Sequence, residues 1–279
     1  MRISGKTGVL GLIGYPVEHS LSPAMHNTAF EYLGLDYCYV TFLVRPDLLE
    51  DAVKAIRALN LRGVNVTVPH KEKVIPLIDV VDEEASFIGA VNTIFNDNGV
   101  LRGFNTDGRG FMESLKDEGI EIKDKRVFII GAGGASRAMG FYLCKEARDL
   151  GITDIDTEKA SRLVNDLRRL KENVYLLERI AELEEIDIII NATPLGLKDS
   201  DPLPIDITMI RSEMVVCDLI YRDTHFLRSS RQKGCKTING LGMLLYQGAL
   251  AFKIWTGKEA PVEVMRQALK NSISPPLRD

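Results

Sequence analysis

Strand-length apolar runs alternate with helix-length segments along nearly the whole chain, and this alternation limits the fold more than any other feature of the sequence. A β-α-β succession buries both faces of a sheet when the strands lie parallel and helices cover them, so the expected class is α/β. Val9 to Gly14 is an apolar run ended by Gly-Tyr-Pro, and Ser22-Pro23 supplies an N-cap and an early helical proline for a helix to about Leu33. Tyr37 to Val44 is β-branched and aromatic, and Pro46-Asp47 opens a helix to about Leu59. Gly63 to Val68 alternates valines with Asn65 and Thr67, which predicts a strand with one polar face. Short helices near Lys71 to Ile78 and Asp82 to Ile88 lead to a hairpin, in which Val91 to Phe95 and Val100 to Phe104 flank Asn96-Asp97-Asn98-Gly99.

A helix from Asp107 to Glu118 and a charged stretch, Glu121 to Arg126, separate this from a second series. Its strands are expected at Arg126 to Ile130, Ile152 to Ile155, Val174 to Leu177, Ile186 to Ala192, Val215 to Leu219 and Lys236 to Ile238. Helices such as Glu158 to Leu170 and Thr224 to Lys233 lie between them. Gly242 to Trp255 and Pro261 to Ile273 are helical with no strand of their own, and are expected to pack back on the first series. The 279 residues suffice for two domains, expected as residues 1–106 plus 240–279 and residues 107–239.

Charge and hydropathy exclude several functions. Formal net charge is −4 and no block of Lys and Arg gathers on one segment, so nucleic acid is not an expected partner. The most apolar runs, such as Val9 to Ile13 and Ile186 to Ile190, fall far short of the ~20 residues that span a bilayer. The first residues run straight into a strand without a signal-peptide pattern, and the expected location is cytoplasmic. Cys38, Cys144, Cys217 and Cys235 are scattered, as for reduced core thiols. His19, His26 and His70 have no metal-ligand spacing and read as solvent-facing or locally bonded, so no metal is expected. The expected partner is a small molecule, and an exposed apolar sheet edge would suit a homodimer.

Two sets of residues carry chemistry. Gly131-Ala132-Gly133-Gly134-Ala135-Ser136-Arg137-Ala138 follows a strand and opens a helix, the setting of a Rossmann-like dinucleotide-binding turn. Missing side chains let backbone amides approach a pyrophosphate, and the helix N-terminus adds partial positive charge. The third small residue of the usual pattern falls on Ser136, a mild departure. About 20 residues on, where an acid would bind the ribose of NAD and an Arg the phosphate of NADP, stand Asp154, Asp156 and Thr157. The two aspartates equally suit N-cap and loop roles for the following helix. In the first half, polar residues mark strand and turn ends: Ser20 and Ser22, Asn65 to Lys71, Gly89 to Thr93, and Asn105 to Asp107. Hydroxyls, amides, one Lys and one Asp form the inventory of a pocket for a polyhydroxylated acid, although each residue alone also reads as a cap or surface group.

Together these segments resemble the shikimate dehydrogenase family with its quinate/shikimate relatives. The resemblance runs over essentially the whole chain, through Gly14 to Pro23 with His26-Asn27, Asn65 to Lys71, Gly89 to Thr93, Asn105 to Asp107, Gly131 to Ala138, Asn191 to Gly196, and Asn239 to Leu244 with Gln247. It implies a discontinuous α/β substrate domain and a Rossmann-like cofactor domain. It also implies reversible hydride transfer between a nicotinamide and C3 of shikimate, a reaction of chorismate and aromatic amino-acid biosynthesis. By family position, Lys71 and Asp107 are the catalytic pair. Ser20, Ser22 and Tyr221 would contact the substrate carboxylate, and Thr67, Asn92 and Gln247 the ring hydroxyls. Gly131, Ala132, Gly133, Gly134 and Ala135 would cradle the pyrophosphate, with Leu219 and Gly242 near the nicotinamide. Most NADP-using members carry Asn-Arg-Thr where this chain has Ile155-Asp156-Thr157. Family habit therefore implies NADP, while Asp156 in place of the Arg favours NAD. A quinate/shikimate dehydrogenase and a regulator without catalysis are the alternatives, and retention of Lys71 and Asp107 argues against the regulator.

Overall fold

Strand β1 (Gly8–Gly14) lies between two parallel partners, β2 (Tyr37–Leu43) and β3 (Gly63–Val66), and this interior place accounts for its apolar sequence, buried from Leu10 onward. The computed structural model describes residues 3–177 and 185–273. It divides into two compact units, one reaching Thr106 and resuming at Leu245, the other Asp107–Leu244. Residues 1, 2 and 274–279, part of the first domain expected from sequence, lie outside the described residues.

The sheet of the first unit runs β2-β1-β3-β5-β6-β4, where β4 is Val80–Val81, β5 Thr93–Asp97 and β6 Val100–Phe104. β5 is antiparallel to both β3 and β6, so the sheet is mixed. The β5–β6 hairpin turns at Asn98 (φ 53°) and Gly99 (φ 95°), both in the left-handed region that a two-residue primed turn requires.

Helices α1 (Ser22–Tyr32), α2 (Leu49–Ala58) and α3 (Glu83–Ile88) match three expected helices with local differences. Ser22 is not the N-cap of α1; that place belongs to Leu21, which makes no side-chain cap, and Ser22 sits inside the first turn. Lys71 to Ile78 forms turns and one short 3-10 segment, Ile75–Leu77, rather than a helix. Pro76 lacks the donor that a continuous α-helix would need there. The expected strand to Val68 stops at Val66, and its polar face is not a solvent face. Asn65 is buried because β3 is an interior strand, whereas Val68 is exposed.

The C-terminal helices α8 (Leu241–Thr256) and α9 (Val262–Ile273) complete the first unit from Leu245 onward. The Trp255 indole donates to the Ile94 carbonyl at 3.0 Å, and the Arg62 guanidinium donates to the Trp255 carbonyl at 3.0 Å. Around Trp255 the core is aromatic. His26 stacks on Tyr39 at 4.5 Å between ring centroids and lies 5.4 Å from Trp255. It is fully buried, and neither ring nitrogen meets a hydrogen-bond partner among the described residues.

In the second unit every strand is parallel. β7 (Arg126–Ile130), β8 (Asp149–Thr153), β9 (Val174–Leu176), β10 (Ile188–Asn191), β11 (Val215–Asp218) and β12 (Lys236–Ile238) take the order β12-β11-β10-β7-β8-β9. Helices α4 (Asp107–Asp117), α5 (Gly134–Glu146), α6 (Thr157–Arg168) and α7 (His225–Gln232) belong to the same unit. This is the doubly wound order of dinucleotide-binding folds, and the direction of winding reverses between β7 and β10. β8 begins and ends earlier than Ile152 to Ile155, because its register with β7 starts at Arg126 and Asp149; Ile155 is left wholly exposed.

Burial lowers the pKa of His26 from 6.5 to about 3. The folded state therefore excludes a proton that the unfolded chain accepts between those values. Stability from this group is complete above pH 6.5 and is lost as pH falls toward 3, at about 1.4 kcal/mol per unit. Denaturant melts from pH 7.5 to 4.5 should show this slope, and His26→Phe should flatten it.

Candidate active site

The C-terminal end of β7 is where the second unit can receive a ligand, since the winding reverses beside it. Gly131 has φ +105°, and a Cβ there would stand 2.9 Å from the Ala192 carbonyl after β10, so both its conformation and its neighbour require glycine. Gly133 is the N-cap of α5, and a Cβ on Gly133 or Gly134 would meet nothing within 4 Å. Their bare backbone faces open space at a helix N-terminus, with Ala132 and Ala135 on either side. This arrangement fits a pyrophosphate. Ser136, the departure from the usual pattern, is fully buried, so the small side chain is accommodated in the helix–sheet packing.

The two aspartates beyond β8 are both engaged. Asp154 accepts from the Ala132 amide at 2.6 Å and from the Asp156 amide at 2.9 Å, tying the glycine turn to the loop after β8. Asp156 caps α6 by accepting from the Lys159 amide at 3.0 Å, and Thr157 is the first helical residue. The capping role that sequence left open is thus the observed one for Asp156. Between them, Ile155 projects fully into solvent.

At the ends of β10 and β11 a buried polar pair shapes the neighbouring loops. The Asn191 amide donates to the Leu195 carbonyl and to Asp218, while its oxygen accepts from the Thr193 amide and hydroxyl. Asp218 also accepts from the Thr224 hydroxyl and the Ile220 amide, and burial pushes its pKa up. These bonds hold the segment carrying Leu219 and Tyr221. Neither Asn191 nor Asp218 stood among the candidate site residues, because a polar residue ending an apolar strand gives no sign of its partners. Tyr221 keeps 47% of its surface open, and desolvation, then the Asp107 carboxylate, push its pKa up to about 12. Asp107 is buried at the first position of α4, and Gly242 packs on Ser114 of the same helix.

The first unit carries the other candidate residues. Ser22 is buried, and the Ser20 oxygen accepts from the Ser22 amide at 3.3 Å. The Thr67 amide donates to the Ile13 carbonyl, and the Val91 amide donates to the Lys71 carbonyl, which fixes the backbone at both residues. The Asn92 amide nitrogen donates to the Thr106 hydroxyl at 2.9 Å, and its oxygen accepts from the Thr106 amide at 2.9 Å. Gln247 is half-buried on α8. His70 is buried and bonded to the Val44 carbonyl at 2.7 Å, and His19 is exposed. Among the described residues no three His, Cys, Asp or Glu side chains gather as a metal site, and no helix is long and apolar enough to cross a membrane. The four cysteines are buried and unpaired.

A doubly wound parallel unit with a bare glycine turn, joined in one chain to a mixed-sheet unit rich in polar strand ends, defines a two-unit dinucleotide-binding enzyme class. Family models narrow it. Residues 12–94 match the shikimate dehydrogenase substrate binding domain, 113–196 the shikimate/quinate 5-dehydrogenase domain, and 240–270 the shikimate 5'-dehydrogenase C-terminal domain. A shikimate dehydrogenase (NADP(+)) from Desulforamulus reducens is 47% identical, with 98% of each chain covered. A crystal structure of a shikimate dehydrogenase in complex with NADP+ superposes with a TM-score of 0.92 at 43% identity, covering 98% of each chain. The shikimate 5-dehydrogenase of Listeria monocytogenes, in complex with shikimate and NAD, gives 0.89 at 40% identity, covering 96% of this chain and 98% of that one. The chain belongs to the shikimate dehydrogenase family.

The open space at Gly133 separates fold from binding. Gly133→Ala should leave the melting temperature within a few degrees of wild type and raise the KM for the dinucleotide about tenfold, because the added methyl occupies the phosphate approach. Thermal melts and steady-state kinetics on one preparation check both.

Proposed function

We propose that the chain interconverts shikimate and 3-dehydroshikimate with a nicotinamide dinucleotide, the reaction for which its relatives are named. The observation that carries this reading is the bare glycine turn at the N-terminus of α5, which suits a pyrophosphate, in a chain 47% identical to a shikimate dehydrogenase (NADP(+)). When bound, the nicotinamide supplies the hydride acceptor or donor. Lys71 would take the proton of the C3 hydroxyl in oxidation and return it to the ketone oxygen in reduction, with Asp107 orienting that exchange. Ser20, Ser22 and Tyr221 would hold the carboxylate through hydroxyl donors, and Thr67, Asn92 and Gln247 the ring hydroxyls. Gly131 to Ala135 would bind the pyrophosphate, with Leu219 and Gly242 against the nicotinamide. Residues 1–106 with 240–279 then serve the substrate and residues 107–239 the cofactor.

For the cofactor the reading is NAD, against the NADP(+) in the names of the relatives. The N-cap of α6 supports it. Thr is a common N-cap, and here the cap is Asp156; matching the caps moves the place of the Arg from Asp156, where the sequence alone put it, to Ile155. Asp154 and Asp156 flank it, and a 2′-phosphate would meet two carboxylates and an aliphatic side chain there. The kcat/KM for NAD should exceed that for NADP at least tenfold, and Ile155→Arg should narrow the ratio; a tenfold preference of wild type for NADP overturns the reading.

Lys71→Ala should lower kcat for shikimate oxidation at least a hundredfold with the melting temperature little changed. A loss below tenfold would remove Lys71 from the chemistry. Quinate assayed beside shikimate decides between the biosynthetic activity and a quinate/shikimate dehydrogenase.

A further inference from the structure

We propose that Thr106 is a positioning residue for substrate binding: its backbone amide and its hydroxyl hold the Asn92 side chain so that Asn92 meets a ring hydroxyl of the substrate as a hydrogen-bond donor. The proposal rests on the function given above, in which Asn92 contacts the ring hydroxyls.

Asn92 stands immediately before β5, and its backbone is fixed from two strands. Its amide donates to the Phe104 carbonyl, at the end of β6, at 3.0 Å. Its carbonyl accepts from the Val66 amide, at the end of β3, at 2.8 Å and from the Asn65 side-chain amide at 3.1 Å. The Asn105 side chain donates to the Ala90 carbonyl at 2.9 Å and so holds the segment after β6 against the one before β5. These bonds place the Cβ of Asn92 but do not decide which way its amide faces.

That choice is made by the partners of the side chain. Asn92 Oδ1 accepts from the Thr106 backbone amide at 2.9 Å and from the Thr93 hydroxyl at 3.0 Å. A backbone N–H only donates, so the atom facing Thr106 must be the oxygen. The Thr93 hydroxyl accepts from Asn65 Nδ2 at 3.1 Å and gives its one proton to Asn92. On the other side of the amide, Asn92 Nδ2 donates to the Thr106 hydroxyl at 2.9 Å, so Thr106 engages both ends of the group. Asn65, Asn92, Thr93 and Thr106 are all buried, and these bonds have little competition from bulk water.

Counting donors and acceptors gives Asn92 its polarity. An amide oxygen has two lone pairs, and here the Thr106 amide and the Thr93 hydroxyl take both. Nδ2 is then the atom that addresses a ligand, and a ring hydroxyl that meets it must accept. A valine at position 106 would keep the shape of threonine and the backbone bond, which lies one residue before Asp107. It would remove the acceptor that holds Nδ2 in a buried place, where losing one partner is costly.

Thr106→Val is the test, read with Thr106→Ser and in the Asn92→Ala background. The valine should raise the KM for shikimate about tenfold while kcat stays within threefold and the KM for the dinucleotide within twofold. Thr106→Ser restores the hydroxyl and should return the shikimate KM to within threefold of wild type. In the Asn92→Ala background Thr106→Val should add less than twofold. Asn92→Asp keeps oxygens for Thr106 and Thr93 but has no N–H, and should raise the KM as much as Asn92→Ala. The proposal is overturned if folded Thr106→Val keeps its shikimate KM within twofold of wild type, or if serine restores nothing. It is equally overturned if the tenfold loss persists without Asn92, or if Asn92→Asp keeps the wild-type KM. Should Thr106→Val not be recovered folded, Thr93→Val removes the other donor to Oδ1. It should raise the shikimate KM about threefold, and a lowered melting temperature with an unchanged KM would overturn the proposal. Wild-type turnover in the same assay keeps the two readings apart: an active wild type with an unaffected Thr106→Val strikes the role of Thr106 alone.

Discussion

A polar side chain on an interior strand must find its hydrogen bonds inside the protein, and much of the candidate site follows from that requirement. Asn65 sits in the middle of the first sheet, so its amide is bonded to Tyr39, Thr93 and the Asn92 carbonyl. Asn191 and Asp218 end adjacent parallel strands, so they bond each other and the loops that follow. In both units the cost of burying an amide or a carboxylate is offset by fixing a loop that carries residues proposed to touch ligand. Stability and positioning rest on the same bonds.

The glycine turn shows a different economy. Gly131 is constrained by its own φ and by the Ala192 carbonyl, which makes it part of the fold. Among the described residues nothing would meet a Cβ on Gly133 or Gly134, so packing does not require their bareness, and it suits a ligand. Asp154 then links this turn to the loop after β8 by bonding the Ala132 amide, and the same loop presents Ile155 to solvent.

The elements with strong local signals were legible in the sequence: the glycine turn into α5, the Asn98-Gly99 hairpin and the parallel series from β7 to β12. Each depends on backbone conformation or on an apolar run, which neighbouring residues determine. Elements whose form depends on distant partners were not. Val68 continues the alternation of β3 yet lies outside the strand, and the two-residue β4 exists only because β6 pairs with it. Ser22 carried the signal of an N-cap, but the cap position falls on Leu21 and Ser22 lies buried within the first turn of the helix.

The order of strands and helices, the absence of an electrostatic footprint for nucleic acid and the family resemblance were all written along the chain. They depend on periodicity and composition, which act over a few residues. Which hydroxyl faces which amide, and that Asp156 caps a helix while Ile155 stands exposed, was decided in three dimensions. Hydrogen bonds between buried side chains join residues tens of positions apart, as Tyr39 joins Asn65, and one-dimensional spacing carries no record of such a meeting.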